Sequence, residues 1–251
     1  MNFTNLQLLE QRICTKEHFI ALMQQSTEPV TTSFVNPFSA KVLTQQPELI
    51  QSIDHFYVDG GLYVKLYNLF NRNKPKLNRC SFDFSSVATD FFNYCQSTGI
   101  KIALVGAKDS EIDAAINNIQ QRYPKLNIAY SRHGYFNDEQ QRQQCFADIT
   151  ASGATALICG MGTPHQEKFI LAARQACPTL RFLTTCGGFL TQSALDIDYW
   201  HPVMNRLGLR WLQRAVQHSH VRDRILRDYP LFIWHYLIYA LRHRNKQRPS
   251  A

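Results

Sequence analysis

No C-x-x-C pair occurs in this 251-residue sequence, and its seven cysteines (Cys14, Cys80, Cys95, Cys145, Cys159, Cys177 and Cys186) are odd in number and scattered. That pattern reads as reduced, mostly buried thiols in a cytosolic environment, with no zinc site. No apolar stretch approaches the roughly 20 residues that span a bilayer. The N-terminus, MNFTNLQLLEQRICTKEHF, lacks the basic-then-apolar order of a signal peptide. The expectation is a cytosolic protein, at most peripheral to a membrane. Repeats and low-complexity segments are also missing. Charged residues make up only 18% of the chain against 45% hydrophobic, the balance of an ordinary folded protein. The length suffices for one α/β domain with a buried core plus an appendage.

Negative charge is scarce in one place. Ten of the 27 Lys/Arg but only two of the 19 Asp/Glu fall in residues 206–251, so residues 1–205 are neutral and the net +8 belongs to the tail. Such asymmetry points to an anionic partner: a phosphate-bearing ligand, an anionic membrane surface or nucleic acid. Arg206, Arg210 and Arg214 recur at four-residue spacing on one helical face, with Leu207, Trp211 and Leu212 on another. A basic ridge without interleaved acids repels itself unless something anionic neutralises it. The aromatic run 231–241 beyond Pro230 is either a core-packing helix or a membrane-interface anchor.

From residue 100 onward the pattern is regular. Short apolar runs at 102–105, 127–130, 155–159 and 181–186 alternate with helical stretches at 110–123, 138–151 and 164–176. This is the signature of βαβ units and a parallel sheet, in which ligands bind beyond the carboxyl ends of the strands. The first hundred residues assign less readily: 49–58 leads through a strand into Asp59-Gly60-Gly61, and 82–96 looks helical. The fold expected is a Rossmann-like parallel sheet flanked by helices over residues 1–200, with a basic, partly apolar helical appendage over 201–251.

Two glycine turns fall at strand ends, Gly160-Met161-Gly162 and Gly187-Gly188, and so share one crevice. In the first, Thr163 before Pro164 reads as an N-cap followed by proline at the first helical position, and Thr163 and Gln166 have capping-box spacing. The glycines allow close approach of a ligand, and the free N–H groups of a helix start suit a phosphate. A capped helix with no ligand fits the same residues. Asp59 is either a general base facing the crevice or a local turn residue. Asn36-Pro37 is a polar turn, and Asp83 is placed to cap the helix after it. The spacing of His235, Tyr239 and His243 does not make a metal site.

Several of these segments together resemble the WecG/TagA/CpsF family, glycosyltransferase family 26. They are Asn36-Pro37, Asp59-Gly60, Gly134-Tyr135-Phe136, the block Gly160-Met161-Gly162-Thr163-Pro164-His165-Gln166-Glu167, Gly187-Gly188-Phe189, and Gly208-Leu209-Arg210-Trp211-Leu212-Gln213-Arg214. The resemblance covers most of the chain. It implies a bacterial, inverting, metal-independent transferase with no cofactor, which moves a sugar from a UDP-sugar of the N-acetylmannosamine, glucose or glucuronate type. The acceptor it implies is a polyprenyl-diphosphate-linked glycan at the cytoplasmic face of the inner membrane, in cell-surface polysaccharide assembly. By position, Asp59 matches the catalytic base, Asn36 a substrate-pocket asparagine, Gln166 a donor contact, and Arg214 and Arg224 the tail arginines that reach the diphosphate. Gly60, Gly160, Gly162, Thr163, Pro164, Glu167, Gly187 and Gly188 are the accompanying substrate-binding positions. Where the family has R-x-x-G-x-D, this chain has Arg79-Cys80-Ser81-Phe82-Asp83, one residue shorter. His218-Ser219-His220-Val221 replaces a segment that carries one more arginine, which Arg222 either does or does not supply.

The expected partners are therefore a UDP-sugar, a lipid-linked glycan and an anionic membrane surface met by the tail. Nucleic acid is not expected, because a basic-tail reading leaves the glycine turns without a purpose. An inert membrane-associated member of the same fold is the remaining alternative. The sequence leaves open whether the tail closes over its own active site or a neighbouring copy's.

Overall fold

A computed structural model describes residues 1–196, 204, 210–217 and 219–246. Six short runs form the strands β1 (Val30–Val35), β2 (His55–Val58), β3 (Lys101–Gly106), β4 (Asn127–Arg132), β5 (Ala156–Gly160) and β6 (Phe182–Thr185). They pair in parallel throughout, in the order β2-β1-β6-β5-β3-β4. Parallel neighbours need crossovers, and helices supply them. α1 (Phe3–Gln11) and α2 (Lys16–Gln25) precede β1, and α3 (Pro37–Leu43) and α4 (Pro47–Ser52) link β1 to β2. α5 (Gly61–Phe70) and α6 (Val87–Thr98) lead to β3, followed by α7 (Asp109–Arg122), α8 (Glu139–Ser152) and α9 (His165–Ala176) between successive strands. α10 (Phe189–Leu195) follows β6, and α11 (Arg210–Gln217) and α12 (Ser219–Lys246) form the described part of the tail. The expected Rossmann-like α/β sheet, flanked by helices and followed by a helical appendage, is the observed architecture.

Both faces of the sheet are covered, and the strand period of two decides which side chain goes where. On β3, Ala103 and Val105 enter one core while Ile102 and Leu104 enter the other; Leu157 and Cys159 of β5 oppose Ala156 and Ile158 in the same way. The second core is aromatic, with Phe19, Phe91 and Phe92 fully buried. Each such side chain contributes about 1.5–3 kcal/mol by leaving water.

Strand β1 carries Thr31, Thr32 and Ser33 at positions with no exposure at all. Their hydroxyls are paired: Thr31 Oγ1 donates to Asp54 Oδ2 at 2.7 Å, Thr32 Oγ1 to Thr184 Oγ1 at 2.8 Å, and Ser33 Oγ to Glu167 Oε1 at 2.8 Å. Buried hydroxyls are tolerated only when bonded in this way.

The inner face of the aromatic run 231–241 is a core-packing surface. Phe232, Tyr236, Tyr239 and Ala240 are buried in the first core, and the Phe232 ring meets Tyr63 edge-on at 5.0 Å between centroids. Tyr236 and Tyr239 donate their hydroxyls to the buried carboxylate of Glu10, whose pKa burial raises despite those bonds. Lys41 Nζ on α3 pairs with Asp228 Oδ1 at 2.9 Å. α12 runs through Pro230, forgoing one backbone donor there.

Residues 49–58 lead through a strand into Asp59 as expected, with the strand, β2, confined to His55–Val58 after the end of α4. Two expectations are corrected. The helix expected from residue 82 starts at Val87, because residues 81–86 wrap around Asp83 first. Asp83 accordingly does not cap that helix; its Oδ1 accepts Ser85 N–H at 2.9 Å and its Oδ2 pairs with Arg79. The boundary near 200–202 and the residues Arg206 and Leu207 lie outside the described residues.

Candidate active site

In an all-parallel sheet every carboxyl end points to one edge, and four of the six strands here carry candidate residues at that end. Asn36 follows β1, Asp59 and Gly60 follow β2, Gly160 closes β5, and Gly187 and Gly188 follow β6. These six, with Gly162, Thr163 and Gln166, line one cleft of about 1650 Å³. Ile225, Tyr229, Pro230 and Ile233 of α12 form part of its wall, so the tail contributes to the cleft of its own chain.

The β5–α9 turn depends on close packing. A Cβ on Gly160 would stand 2.8 Å from Cys186 Sγ and 2.9 Å from the Gly187 carbonyl, so only glycine lets the two turns approach. Gly162 has φ 75° and open space around it, which leaves the backbone accessible at the start of α9. Capping differs from the expectation. The Thr163-Pro164 peptide is cis, the N-cap is Pro164, and no side chain caps the helix. Thr163 instead donates to Glu167 Oε1 at 3.0 Å.

Glu167 and Pro164, expected among the ligand contacts, are not among the residues that line the cleft. Glu167 is fully buried behind the turn, where its Oε1 accepts Ser33, Thr163 and Gln166. Burial raises its pKa against the opposing effect of those bonds. Gln166 ties the two turns together: its Oε1 accepts Gly187 N–H at 3.2 Å while its Nε2 donates to Glu167 Oε1 at 3.0 Å. Asn36 is a helix cap and a cleft residue at once. Its Oδ1 accepts Phe38 and Ser39 N–H at 3.0 and 3.1 Å, and its amide nitrogen has no partner among the described residues.

Asp59 is held from a distance in sequence. Arg79 donates Nη2 to Asp59 Oδ1 at 2.7 Å and Nε to the Asp59 carbonyl at 2.9 Å, and Nη2 also reaches Asp83 Oδ2 at 2.7 Å. Burial alone would lower the Arg79 pKa, and the two carboxylates more than offset it. Asp83, almost fully buried, lies below the usual carboxylate range: burial opposes this, but Arg79 and the bonds from Ser81 and Ser85 outweigh it. Asp59 Oδ2 has no hydrogen-bond partner among the described residues and the residue faces the cleft. The shortened Arg79–Asp83 segment is thus the clamp that orients Asp59. Sequence reading missed that role, because the ion pair is tertiary and its loop has no periodicity.

Charge in the described lining balances. Lys65, Arg79, Lys108, Arg142 and Lys168 are met by Asp59, Asp83, Glu111, Asp138 and Glu139. Arg214 and Arg224 fall on α11 and α12, but their side chains lie outside the described residues. Tyr135, on the rim, is 63% exposed while lining the cleft.

Residues 7–246 match the glycosyl transferase WecG/TagA/CpsF family. A relative from Shigella boydii, UDP-Gal:alpha-D-GlcNAc-diphosphoundecaprenol beta-1,4-galactosyltransferase, is 38% identical over 212 residues, covering 84% of this chain and 87% of the relative. No helix among the described residues is long and apolar enough to cross a membrane. With its parallel sheet, its glycine turns and an aspartate aimed into a shared cleft, the chain belongs to the glycosyl transferase WecG/TagA/CpsF family and is a glycosyltransferase.

Proposed function

We propose that the enzyme transfers a hexose from a UDP-sugar to a sugar carried on a polyprenyl diphosphate, by single displacement with inversion and without a metal at the donor diphosphate. The observation that carries this reading is Asp59, which enters the cleft with one carboxylate oxygen fixed by Arg79 and the other unpartnered among the described residues. The acceptor hydroxyl gives its proton to Asp59 Oδ2 as its oxygen attacks the anomeric carbon, and UDP leaves with the electrons of the glycosidic bond.

Negative charge then grows on the departing diphosphate. The cleft-lining backbone at Gly160, Gly162 and the start of α9 supports stabilisation there. Because the described lining is balanced in charge, further cations have to come from elsewhere, and Arg214 and Arg224 of the tail are the candidates. The cleft of about 1650 Å³ exceeds the roughly 300–1000 Å³ typical of a single-ligand site, which supports donor and acceptor binding together. Tyr135 on the rim suits stacking under a uracil ring.

Galactose is the first donor to test, ahead of the N-acetylmannosamine and glucose types, because the relative named above uses UDP-Gal. That relative forms a β-1,4 linkage. From a donor whose sugar is α-linked to phosphate, such a bond implies inversion. Leu231, Trp234 and Leu241 are exposed on the outer face of α12, with exposed Arg227 and Arg242 beside them. An apolar stripe edged with arginine supports docking on the anionic inner-membrane surface where a polyprenyl substrate resides.

The test is UDP release with a panel of UDP-Gal, UDP-Glc, UDP-GlcNAc and UDP-ManNAc, each with and without a GlcNAc-diphosphate-polyprenol, in EDTA. Acceptor-dependent release from UDP-Gal is expected. Release from none of the four would overturn the reading in favour of an inert member.

A further inference from the structure

We infer that Cys14, His18 and His55 form a zinc-binding site at the edge of the sheet, remote from the transfer chemistry. Three separate elements bring them together. Cys14 lies just after α1 with its N–H bonded to the Phe56 carbonyl at 2.8 Å, His18 sits in the first turn of α2, and His55 opens β2. One ligand atom from each lies within 4.8 Å of the other two.

The spacing fits zinc chemistry. Zn–S and Zn–N bonds of about 2.3 and 2.05 Å at a tetrahedral angle place sulfur and nitrogen about 3.6 Å apart. Cys14 Sγ and His55 Nδ1 are 3.5 Å apart. The two imidazoles have centroids 4.6 Å apart and planes inclined by 60°, so a modest ring rotation brings the third donor into range. Of the seven cysteines, Cys14 alone is not buried. A thiolate with two imidazoles is a donor set that favours Zn²⁺ over Mg²⁺ or Ca²⁺.

A supporting residue lies behind the site. The hydroxyl of Tyr57, a fully buried residue, is 3.0 Å from His18 Nδ1, which orients the ring and leaves Nε2 as its remaining nitrogen. Ligating histidines characteristically have such an outer partner on the second nitrogen. All three donors are half-buried, so the fourth position is open to water. Binding forms one Zn–S and two Zn–N bonds and releases the Cys14 thiol proton to solvent. Asp59 is four positions beyond His55, roughly 13 Å at the strand rise, so the ion acts as a clasp between the α1–α2 connection and β2. The sequence conceals the site because the third donor is 37 residues beyond His18.

The experiment strips the full-length protein with EDTA, removes the chelator, and titrates ZnSO₄ by calorimetry and CoCl₂ by absorbance. The expected result is one Zn²⁺ per chain and a thiolate-to-Co²⁺ charge-transfer band. At free Zn²⁺ about a hundredfold above its Kd, Tm should rise by roughly 5–10 °C. Cys14→Ser should abolish the band, Cys14→Ser and His55→Gln should each weaken Zn²⁺ binding by at least tenfold, and Tyr57→Phe by about tenfold. Should a variant fail to fold, the wild-type Co²⁺ spectrum decides alone. Absence of the band in wild-type protein, no binding of Zn²⁺, or equal binding by folded Cys14→Ser overturns the proposal.

Discussion

Replacing Arg79 by methionine keeps most of the stem's volume and removes the charge shared by Asp59 and Asp83. The Asp59 side chain is 30% exposed, so loss of that pair costs no more than about 1 kcal/mol. Asp83 is only 8% exposed, and stripping one partner from a buried pair costs about 3–5 kcal/mol when nothing else compensates. The bonds from Ser81 and Ser85 remain, which brings the expected total to about 2–4 kcal/mol, or roughly 5–15 °C in Tm for a chain of this size. The pH dependence carries the sign. In wild type the Asp83 pKa is depressed, so its contribution is present above the ordinary value of 3.8 and is lost as pH falls through the lower folded value. Without Arg79, burial dominates and the Asp83 pKa rises, so the variant regains stability as pH falls and the gap to wild type narrows toward pH 4. Thermal unfolding followed by circular dichroism from pH 4 to 8 measures this. Arg79→Met/Asp83→Asn should recover most of the stability yet stay about a hundredfold slower in transfer, because Asp59 is no longer oriented. Equal melting of Arg79→Met and wild type, or a double variant no more stable than the single, refutes the reasoning.

Three further outcomes follow from the packing. Gly160→Ala forces a methyl to within 2.9 Å of the Gly187 carbonyl, so UDP affinity measured by calorimetry should drop at least tenfold; unchanged affinity would separate that turn from the donor site. Burial raises the Glu167 pKa, so its contribution to stability is full below the ordinary value of 4.5 and is lost as pH rises through the folded value. Glu167→Gln should therefore lose less stability between pH 5 and 8 than wild type does, and identical pH profiles would count against the buried carboxylate. Phe232→Ala should cost about 3–5 kcal/mol by opening a hole between α12 and Tyr63, read by chemical denaturation. A loss under 1 kcal/mol would mean that α12 does not dock as described.

The second half of the sheet was readable because β3 and β5 are aliphatic runs ending in glycine, and their expected limits differ from the observed ones by a residue or so. Strand β1 escaped notice for a physical reason. Val-Thr-Thr-Ser-Phe-Val does not read as an apolar run, and its hydroxyls are buried only because Asp54, Thr184 and Glu167 receive them from elsewhere in the chain. Asp59 and the glycine turns were legible because each sits at the end of a strand-like run, and Asn36 because it makes a turn with Pro37. The clamp on Asp59 was not, since Arg79 is 20 residues away in an irregular loop. Thr163 was read as a helix cap from local rules and Glu167 as a ligand contact by position in the family block, whereas the Thr163 hydroxyl donates to a Glu167 carboxylate buried behind the turn.

Transfer by Asp59→Asn, measured beside UDP binding on the same preparation, tests the account most directly. The amide keeps the size of the side chain and an oxygen for Arg79 but cannot take the acceptor proton. Acceptor-dependent turnover should fall by about 10²–10⁴-fold while UDP affinity, read by calorimetry, stays within about twofold. Turnover at the wild-type rate would contradict the assignment of Asp59 as the base, and loss of UDP binding alongside turnover would make it a structural residue of the cleft.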